Sequence, residues 1–184
     1  MLKIYGKGGQ ARVVESFLPP GTDYGFVDSE DFDQERARDH EWLIAIGSNA
    51  ARERISEGEL SGCAFATILS PHAIIRGEVG QGSVIHDAAL IQTGARIGAH
   101  CIINTRASID HDCKIGDYVH IAPGCTLCGN VTVGARSFLG AGTVVIPGIT
   151  IGEGCVIGAG SVVVRDIPDH TKAYGNPARP RGNS

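Results

Sequence analysis

The sequence predicts a parallel β-helix that follows a small N-terminal α/β Rossmann-like domain. Three observations lead to this prediction. An aliphatic residue recurs at every sixth position from Val79 to Val163, while residues 1–66 lack that repeat. The chain contains 26 Gly, and aromatic residues make up only 5% of it. A core built from Gly, Ala, Val and Ile indicates thin, stacked layers instead of a compact aromatic core.

The six-residue repeat is the strongest signal in the sequence, because periods of this kind identify solenoid folds. Its aliphatic positions contain no gap or insertion, and they are Val79, Ile85, Ile91, Ile97, Ile103, Ile109, Ile115, Ile121, Leu127, Val133, Leu139, Val145, Ile151, Ile157 and Val163. An ordinary β-sandwich would have irregular strand spacing and inserted loops. Stacked coils can bury these side chains in one continuous core, which a single coil cannot do.

A second period of eighteen residues is superimposed on the first. A glycine follows the aliphatic residue at Gly80, Gly98, Gly116, Gly134 and Gly152. Three repeats therefore form one triangular coil, and about five coils are expected. We expect these glycines to supply a positive φ at one corner of each coil.

Four of the six cysteines occupy a small-residue position two residues before the aliphatic one: Cys101, Cys113, Cys125 and Cys155. We interpret them as small apolar core residues and not as metal ligands. Cys125 and Cys128 also form a lone C-x-x-C pair, which is a weak signal for metal or redox chemistry. Cys128 lies just outside the small-residue position and has no assigned role.

Residues 1–66 follow an alternating strand and helix pattern. The predicted strands are 2–5, 24–28, 41–47 and 64–69, and the predicted helices are 12–18 and 49–57. This is half of a doubly wound fold at most, which suits a mononucleotide or UDP-sugar better than a dinucleotide. Residues 67–184 form the second predicted domain, which contains the β-helix and a C-terminal tail.

A glycine-rich turn, residues 6–11, connects the first strand to the first helix, in the context where such a turn binds phosphate. Asp28 lies 22 residues after Gly6, at the end of the second strand, where a nucleotide fold places a ribose-binding acid. Gly47 ends the third strand. Alternatively, the glycine cluster forms a structural turn that binds no phosphate.

Charge and hydropathy exclude other classes of partner. The net charge is −4, and no basic stripe indicates binding to nucleic acid or to an anionic membrane surface. No run of about 18 apolar residues is present, so we predict no membrane span. An N-terminus without a secretory signal, together with free thiols, predicts a cytoplasmic location.

Two of the seven histidines stand out as candidates for chemistry. His111 is flanked by Asp110 and Asp112, and His120 lies in a Tyr-Val-His-Ile-Ala-Pro segment. A neighbouring carboxylate favours the imidazolium and raises the basicity of the ring, which suits a general base. Adjacent residues of a strand point to opposite faces, so contact between His111 and Asp112 requires a turn there.

These residues resemble the bacterial acetyltransferases of the bacillosamine pathway, which act on UDP-4-amino-sugars, and the related sialic acid O-acetyltransferases. The resemblance covers nearly the whole chain. It rests on the glycine turn, the segments 44–49 and 69–73, the segment from Asn104 to His111, and the tail 175–179. It implies a left-handed parallel β-helix of hexapeptide repeats, a homotrimer with active sites between subunits, acetyl-CoA as co-substrate, and no metal.

The resemblance also implies roles for individual residues. His111 would be the general base, oriented by Asp112, with Asn104 near the reacting groups and the Gly129 amide stabilising the oxyanion. Residues contacting acetyl-CoA would be His120, Ala141 and Ala159. Residues holding the nucleotide-sugar would be Gly8, Gly9, Gln10, Asp28, Ser29 and Gly47.

Three positions depart from the family pattern. Asp112 stands where the bacillosamine-type enzymes have Glu, Gln10 replaces a His, and Ser29 replaces a second acid. These changes affect the choice of sugar more than the class of reaction.

The sequence therefore predicts N-acetylation of the 4-amino group of a UDP-linked amino-dideoxy-sugar by direct transfer. Several alternatives stay open. One is O-acetylation of sialic acid or another sugar, which no residue distinguishes from N-acetylation. Others are a metal-dependent carbonic anhydrase, which needs three His ligands, and a non-catalytic nucleotide-binding β-helix scaffold. A sugar nucleotidyltransferase would need a larger N-terminal domain.

Overall fold

A computed structural model of the chain describes residues 1–33 and 35–183. Its first part is a parallel sheet, sheet A, with two α-helices and one short 3-10 helix. In chain order these elements are β1 (Leu2–Tyr5), α1 (Gly9–Glu15), β2 (Tyr24–Val27), the 3-10 helix (Ala37–Asp39), β3 (Glu41–Ile44), α2 (Asn49–Glu57) and β4 (Ala64–Phe65). The strand order is β2-β1-β3-β4, and every pair is parallel.

The elements of sheet A occur in the predicted order, but some of their ends differ. Helix α1 begins at Gly9, after the extended Gly8, and not at residue 12. Residues 16–18 form a tight turn in which Phe17 and Leu18 donate to carbonyls three residues earlier. The prolines at 19 and 20 cannot continue a helix.

The predicted fourth strand, residues 64–69, is divided between two sheets. Its first part, β4, joins sheet A, whereas its second part, β5 (Ile68–Leu69), pairs with the second coil of the β-helix. The Ala66 amide makes the last bond to sheet A, donating to Trp42, and the Ile68 amide makes the first bond to the β-helix, donating to Ser83.

The second part of the chain is a stack of short strands, mostly two residues long, that turn through three sheets. The strand pairs in these sheets are parallel except for the last one, between Thr171–Tyr174 and Arg179–Asn183, which is antiparallel. The strands after β5 are β6 (Ile74–Ile75), β7 (Glu78–Val79), β8 (Val84–Ile85), β9 (Leu90–Ile91), β10 (Arg96–Ile97), β11 (Ile102–Ile103), β12 (Ser108–Ile109), β13 (Lys114–Ile115), β14 (His120–Ile121), β15 (Thr126–Leu127), β16 (Thr132–Val133), β17 (Phe138–Leu139), β18 (Val144–Val145), β19 (Thr150–Ile151), β20 (Val156–Ile157), β21 (Val162–Val163), β22 (Thr171–Tyr174) and β23 (Arg179–Asn183).

The three sheets form the sides of the β-helix. Sheet B has the order β23-β22-β20-β17-β14-β11-β8-β5, sheet C the order β21-β18-β15-β12-β9-β6, and sheet D the order β19-β16-β13-β10-β7. Partners lie eighteen residues apart through most of the stack, as in Ile85, Ile103 and Ile121, and sixteen apart at its ends, as in Ile74 and Leu90. The repeats and the parallel sheets fit the left-handed β-helix that the sequence predicts.

The aliphatic residues of the repeat form the core, as predicted. All of them are buried from Ile85 to Val163, and only Val79, in the first coils, is partly exposed. The four cysteines at small-residue positions are also completely buried. All six cysteines are free thiols.

The prediction for the repeat glycines is wrong. Positive φ occurs three residues after each aliphatic residue from Val79 to Ile157, as at Arg106, Asp112 and Tyr118, and not at Gly98 or its equivalents. A Cβ on Gly98 would lie 2.7 Å from the carbonyl carbon of Gly116 in the next coil. These glycines are therefore required by the close approach of stacked coils.

Within the described residues, the structure contains no helix that is both long enough and apolar enough to cross a membrane.

Candidate active site

His111 and Asp112 form a hydrogen-bonded pair on the corner between sheets C and D. His111 follows β12, and Asp112 adopts a left-handed conformation with a φ of 59°, which turns its side chain back toward the imidazole. The distance between His111 Nδ1 and Asp112 Oδ2 is 2.9 Å. The Asp110 side chain accepts a hydrogen bond from the His111 amide at 2.8 Å. The sequence required a turn for this contact, and the turn is present.

The electrostatic surroundings of His111 favour its protonated form. The hydrogen bond to Asp112 raises the pKa of the imidazole, and the charges of Asp110 and Asp112 act in the same direction. The His111 side chain is 55% exposed, so solvent weakens these interactions. With Nδ1 directed at Asp112, the other ring nitrogen, Nε2, is the one that can exchange a proton with a substrate.

Gly129 lies directly against that second nitrogen. It stands eighteen residues after His111, one coil further along the stack, and a Cβ at this position would collide with His111 Nε2. Only a glycine therefore fits beside Nε2 at this position. The next residue, Asn130, keeps the two coils in register, because its amide donates to the His111 carbonyl at 2.9 Å.

His120 lies in a different place, on the face of sheet B that contacts the N-terminal part. Its Nε2 is 3.2 Å from Asn104 Nδ2, and its Nδ1 is 3.3 Å from the Gly47 carbonyl oxygen. Burial, followed by the charge of Arg52, lowers the pKa of His120 to about 4. His120 is therefore neutral near pH 7, with Nδ1–H donating to Gly47 and Nε2 accepting from Asn104.

Gln10 and His86 make a second polar contact between the two parts, and the sequence analysis did not assign a role to His86. The side-chain nitrogens Gln10 Nε2 and His86 Nε2 are 2.8 Å apart. His86 is buried, its Nδ1 has no hydrogen-bond partner among the described residues, and burial lowers its pKa to about 4. His86 lies eighteen residues, or one coil, before Asn104. The eighteen-residue period could therefore have identified it as a neighbour of Asn104.

Arg52 is the other residue that the sequence analysis missed. It lies on α2, it is 1% exposed, and none of its partners is a carboxylate. Its guanidinium donates to the carbonyls of Ile46 and Gly47 on one side and to those of His100 and Tyr118 on the other. Burial lowers its pKa to about 10, which leaves it charged at neutral pH. Arg52 thus links the segment that follows β3 to two coils of the β-helix by hydrogen bonds.

The residues predicted to hold a nucleotide-sugar lie at one edge of sheet A. Because β1, β2 and β3 are parallel and in register, their carboxyl ends meet there. This edge carries Gly8, Gly9, Gln10, Asp28, Ser29 and Gly47. Lys7 lies 2.8 Å from Asp28, and hydrogen bonding to Lys7 lowers the pKa of the Asp28 carboxyl.

Within one chain, the predicted site residues form separate groups. Asn104, His120, Gln10 and Gly47 come together where sheet B meets sheet A, whereas His111, Asp112 and Gly129 lie on the next corner. Ala141 and Ala159 are exposed and stacked one coil apart, further along the β-helix. The Ala141 carbonyl accepts a hydrogen bond from the Gly160 amide at 2.8 Å.

Among the described residues, no group of three or more His, Cys, Asp or Glu side chains has the arrangement of a metal site.

Comparison with known proteins places this geometry in a family. The family model "Bacterial transferase hexapeptide (six repeats)" matches residues 94–129 and 130–165. The comparison with curated proteins gave no match.

Several solved structures match almost the whole chain. One is the acetyltransferase domain of PglB from Neisseria gonorrhoeae, with 31% identity, 98% of both chains covered and a TM-score of 0.86. This domain has also been solved in complex with acetyl coenzyme A. A variant of perosamine N-acetyltransferase from Caulobacter crescentus, in complex with CoA and GDP-perosamine, has 34% identity and a TM-score of 0.91, and the match covers 99% of this chain and 97% of that one.

WeeI from Acinetobacter baumannii is a further match, with 25% identity, a TM-score of 0.88, and 98% of this chain and 99% of that chain covered. Two of these relatives exceed 30% identity over nearly their full length. The chain therefore belongs to the hexapeptide-repeat acetyltransferases, together with the PglB acetyltransferase domain and perosamine N-acetyltransferase, and is itself an acetyltransferase.

Proposed function

We propose that this enzyme transfers the acetyl group of acetyl-CoA to the 4-amino group of a nucleotide-linked amino-dideoxy-sugar, with His111 as the general base. The observation that carries the proposal is the contact between His111 and Asp112, with Gly129 against the remaining ring nitrogen. The relatives support the two substrates, since one was solved with acetyl coenzyme A and another with CoA and GDP-perosamine.

The proposed reaction is a direct transfer. The amine nitrogen attacks the thioester carbonyl carbon while His111 Nε2 accepts a proton from the amine. Asp112 holds the proton on Nδ1 and stabilises the imidazolium that forms. The Gly129 amide donates to the tetrahedral oxyanion. The carbon–sulfur bond then breaks, and the thiolate of CoA leaves and takes up a proton.

We propose that residues 1–66 bind the nucleotide-sugar and that residues 67–184 bind acetyl-CoA. Gly8, Gly9, Gln10, Asp28, Ser29 and Gly47 would contact the nucleotide-sugar, and Asn104 would lie near the reacting groups. His120, Ala141 and Ala159 would contact acetyl-CoA. Because both nitrogens of His120 already have partners, its contact with acetyl-CoA would use the ring edge or face.

We also propose a homotrimer in which His111 of one subunit meets sheet A of the next. Two features support this arrangement. His111 lies on an exposed corner between sheets C and D, whereas the contacts of Gln10 and Gly47 with the β-helix in the same chain are made to sheet B. The outward positions of sheet C are mostly apolar and begin with Ile74, which is 52% exposed.

A thiol-release assay tests the reaction. The purified protein is given acetyl-CoA with a UDP-4-amino-4,6-dideoxy-sugar, GDP-perosamine, free sialic acid or no acceptor. Release with either nucleotide amino-sugar supports N-acetylation and identifies the nucleobase. Release with sialic acid alone would contradict the proposal in favour of O-acetylation.

The variant His111→Ala tests the base. We expect turnover to fall by roughly 10²–10⁴-fold, the usual contribution of a general base, while the melting temperature stays that of the wild type. His72→Ala, at an exposed histidine of the first coils, is the matched control. Turnover near that of the wild type in His111→Ala would exclude His111 as the base.

A further inference from the structure

A groove runs along sheet D and ends at Asp112. Its volume is about 420 Å³, and we call it the cationic groove, defined by Arg76, Glu78, Gly94, Arg96, Asp112 and Lys114. Its floor has little room for side chains, since a Cβ on Gly94 would collide with Asp112 Oδ1. Asp112 therefore has one carboxylate oxygen at the groove and the other on His111.

The groove contains a like-charged pair that the sheet itself does not stabilise. Arg96 and Lys114 are direct partners in neighbouring parallel strands, β10 and β13. Like charges placed opposite each other on one face of a sheet repel and destabilise it. A bound anion between the two side chains would turn this repulsion into attraction.

Two carboxylates, Glu78 and Asp112, line the groove beside three cationic side chains, and Asp112 already shares its charge with His111. Glu78 lies 3.6 Å from Arg96, but their side chains are 80% and 72% exposed, so this ion pair contributes little. Arg76 donates to the neutral side chain of Gln92 at 2.9 Å. In the part of the chain that the structure describes, the Lys114 ammonium has no hydrogen-bond or ion-pair partner.

We propose that the cationic groove is a binding subsite for the diphosphate of a nucleoside diphosphate, placed beside the His111–Asp112 pair. This inference rests on the proposed function, whose two substrates each carry such a diphosphate. Guanidinium groups match phosphate oxygens in pairs of hydrogen bonds, and the lysine adds a point charge. The groove ends at Asp112, the hydrogen-bond partner of the proposed base, so an anion bound there would hold its attached group near the His111–Asp112 pair.

Calorimetry of the full-length protein tests the subsite, with UDP, GDP and CoA as separate ligands. The variants are Lys114→Glu, which reverses the unpaired charge, and Lys114→Arg, which keeps it. The control is Lys172→Glu, because Lys172 is exposed on β22, outside the groove. Circular dichroism and light scattering of each variant report folding and oligomeric state.

We expect Lys114→Glu to raise the Kd of at least one ligand about tenfold, with Lys114→Arg and Lys172→Glu within about twofold of the wild type. A change for UDP or GDP assigns the subsite to the acceptor, and a change for CoA assigns it to the co-substrate. Unchanged affinities for all three ligands overturn the proposal. So does a loss of affinity that accompanies dissociation of the oligomer, since the groove would then form ion pairs between subunits.

This outcome is separable from that of the proposed function. If the wild type acetylates a nucleotide amino-sugar while Lys114→Glu keeps its affinities, the function stands and the subsite is wrong. If the wild type acetylates neither acceptor, the function is wrong, and the binding constants still decide whether the groove takes a diphosphate.

Discussion

At the scale of the residue, the contact between His111 and Asp112 decides which ring nitrogen can act as a base. The contact exists because Asp112 accepts a left-handed backbone conformation, which Asp and Asn tolerate better than most residues do. Asp112 is one methylene shorter than the Glu that the family resemblance implies at this position. The 2.9 Å distance to His111 Nδ1 is nevertheless within hydrogen-bonding range, so the turn compensates for the shorter side chain.

Asp112→Asn should change the pH dependence of catalysis. The Asp112 carboxylate raises the pKa of His111, so the neutral, active base accumulates only as the pH rises through that raised value. Removing the charge lowers the pKa, and the acid limb of kcat/KM should therefore move to lower pH. The plateau rate should fall, because the amide stabilises the imidazolium less. An unshifted acid limb would contradict the assignment of this limb to His111.

At the scale of the element, the glycines of each coil fall into two classes that differ in the space available for a side chain. Gly98 and its equivalents have ordinary backbone angles but no space for a Cβ. Gly160 has the opposite character, with a φ of 67° and no atom within 4 Å of the point that a Cβ would occupy. The two classes of glycine should therefore respond differently to substitution.

Gly98→Val should destabilise the β-helix by about 1–3 kcal/mol or more, the usual cost of overpacking. Gly160→Asn should cost well under 1 kcal/mol, because Asn tolerates the left-handed region and its side chain would meet open space. Thermal melting followed by circular dichroism compares the two. Equal losses of stability in the two variants would contradict the assignment of Gly98 to the close approach of coils.

Arg52 is the element-scale link between the two parts of the chain. Its charge is buried and satisfied only by carbonyl and amide oxygens, an arrangement that is costly unless every donor is used. Lys cannot reproduce the planar set of five donors. The fixed positions of Gly47 and His120 relative to each other therefore depend on this arginine.

At the scale of the whole molecule, buried neutral histidines line the contact between the α/β part and the β-helix. His86 and His100 are almost completely buried, and burial lowers the pKa of each to about 4. His100 stacks on Tyr118 with ring centroids 5.2 Å apart and packs edge-on against Phe65. Protonation of these rings is therefore unfavourable in the folded protein.

The protein should lose stability between about pH 6.5 and pH 4. Unfolded histidine binds a proton near pH 6.5, whereas the folded rings do so only near pH 4, so acid favours the unfolded chain in this window. Each ring contributes up to about 3 kcal/mol, present in full above pH 6.5. His100→Gln should flatten the dependence of the melting temperature on pH, whereas His72→Gln should not. An identical pH dependence in wild type and His100→Gln would refute this account.

Mixed oligomers test the proposed arrangement of subunits. Gly8→Trp should block the nucleotide edge, and its Cβ would meet no atom within 4 Å. Coexpression with His111→Ala should restore about a quarter of wild-type activity if each site combines two subunits, because random mixing pairs intact halves at that frequency. No restoration in mixed oligomers would place each complete site within one chain.

The sequence by itself determined the β-helix, the order of the N-terminal elements and the placement of His111 beside Asp112 in the chain, whereas the hydrogen bond between these two side chains required the turn that the structure contains. These features follow from local rules: a fixed repeat length, buried aliphatic positions, and two adjacent residues at a turn. The spacing of the glycines revealed the length of a coil but not why glycine is needed. A positive φ and a close approach of neighbouring coils both select glycine, so the sequence cannot distinguish them.

Only the tertiary structure decided what joins the two parts. Arg52, His86 and His100 are polar residues without a motif, and they gain their significance from partners that are distant in the chain, as in the pair of His86 and Gln10, 76 positions apart. The same holds for the cationic groove, where residues eighteen positions apart become neighbours through the stacking of coils. Burial and long-range pairing create these sites, and neither is visible in a local pattern of residues.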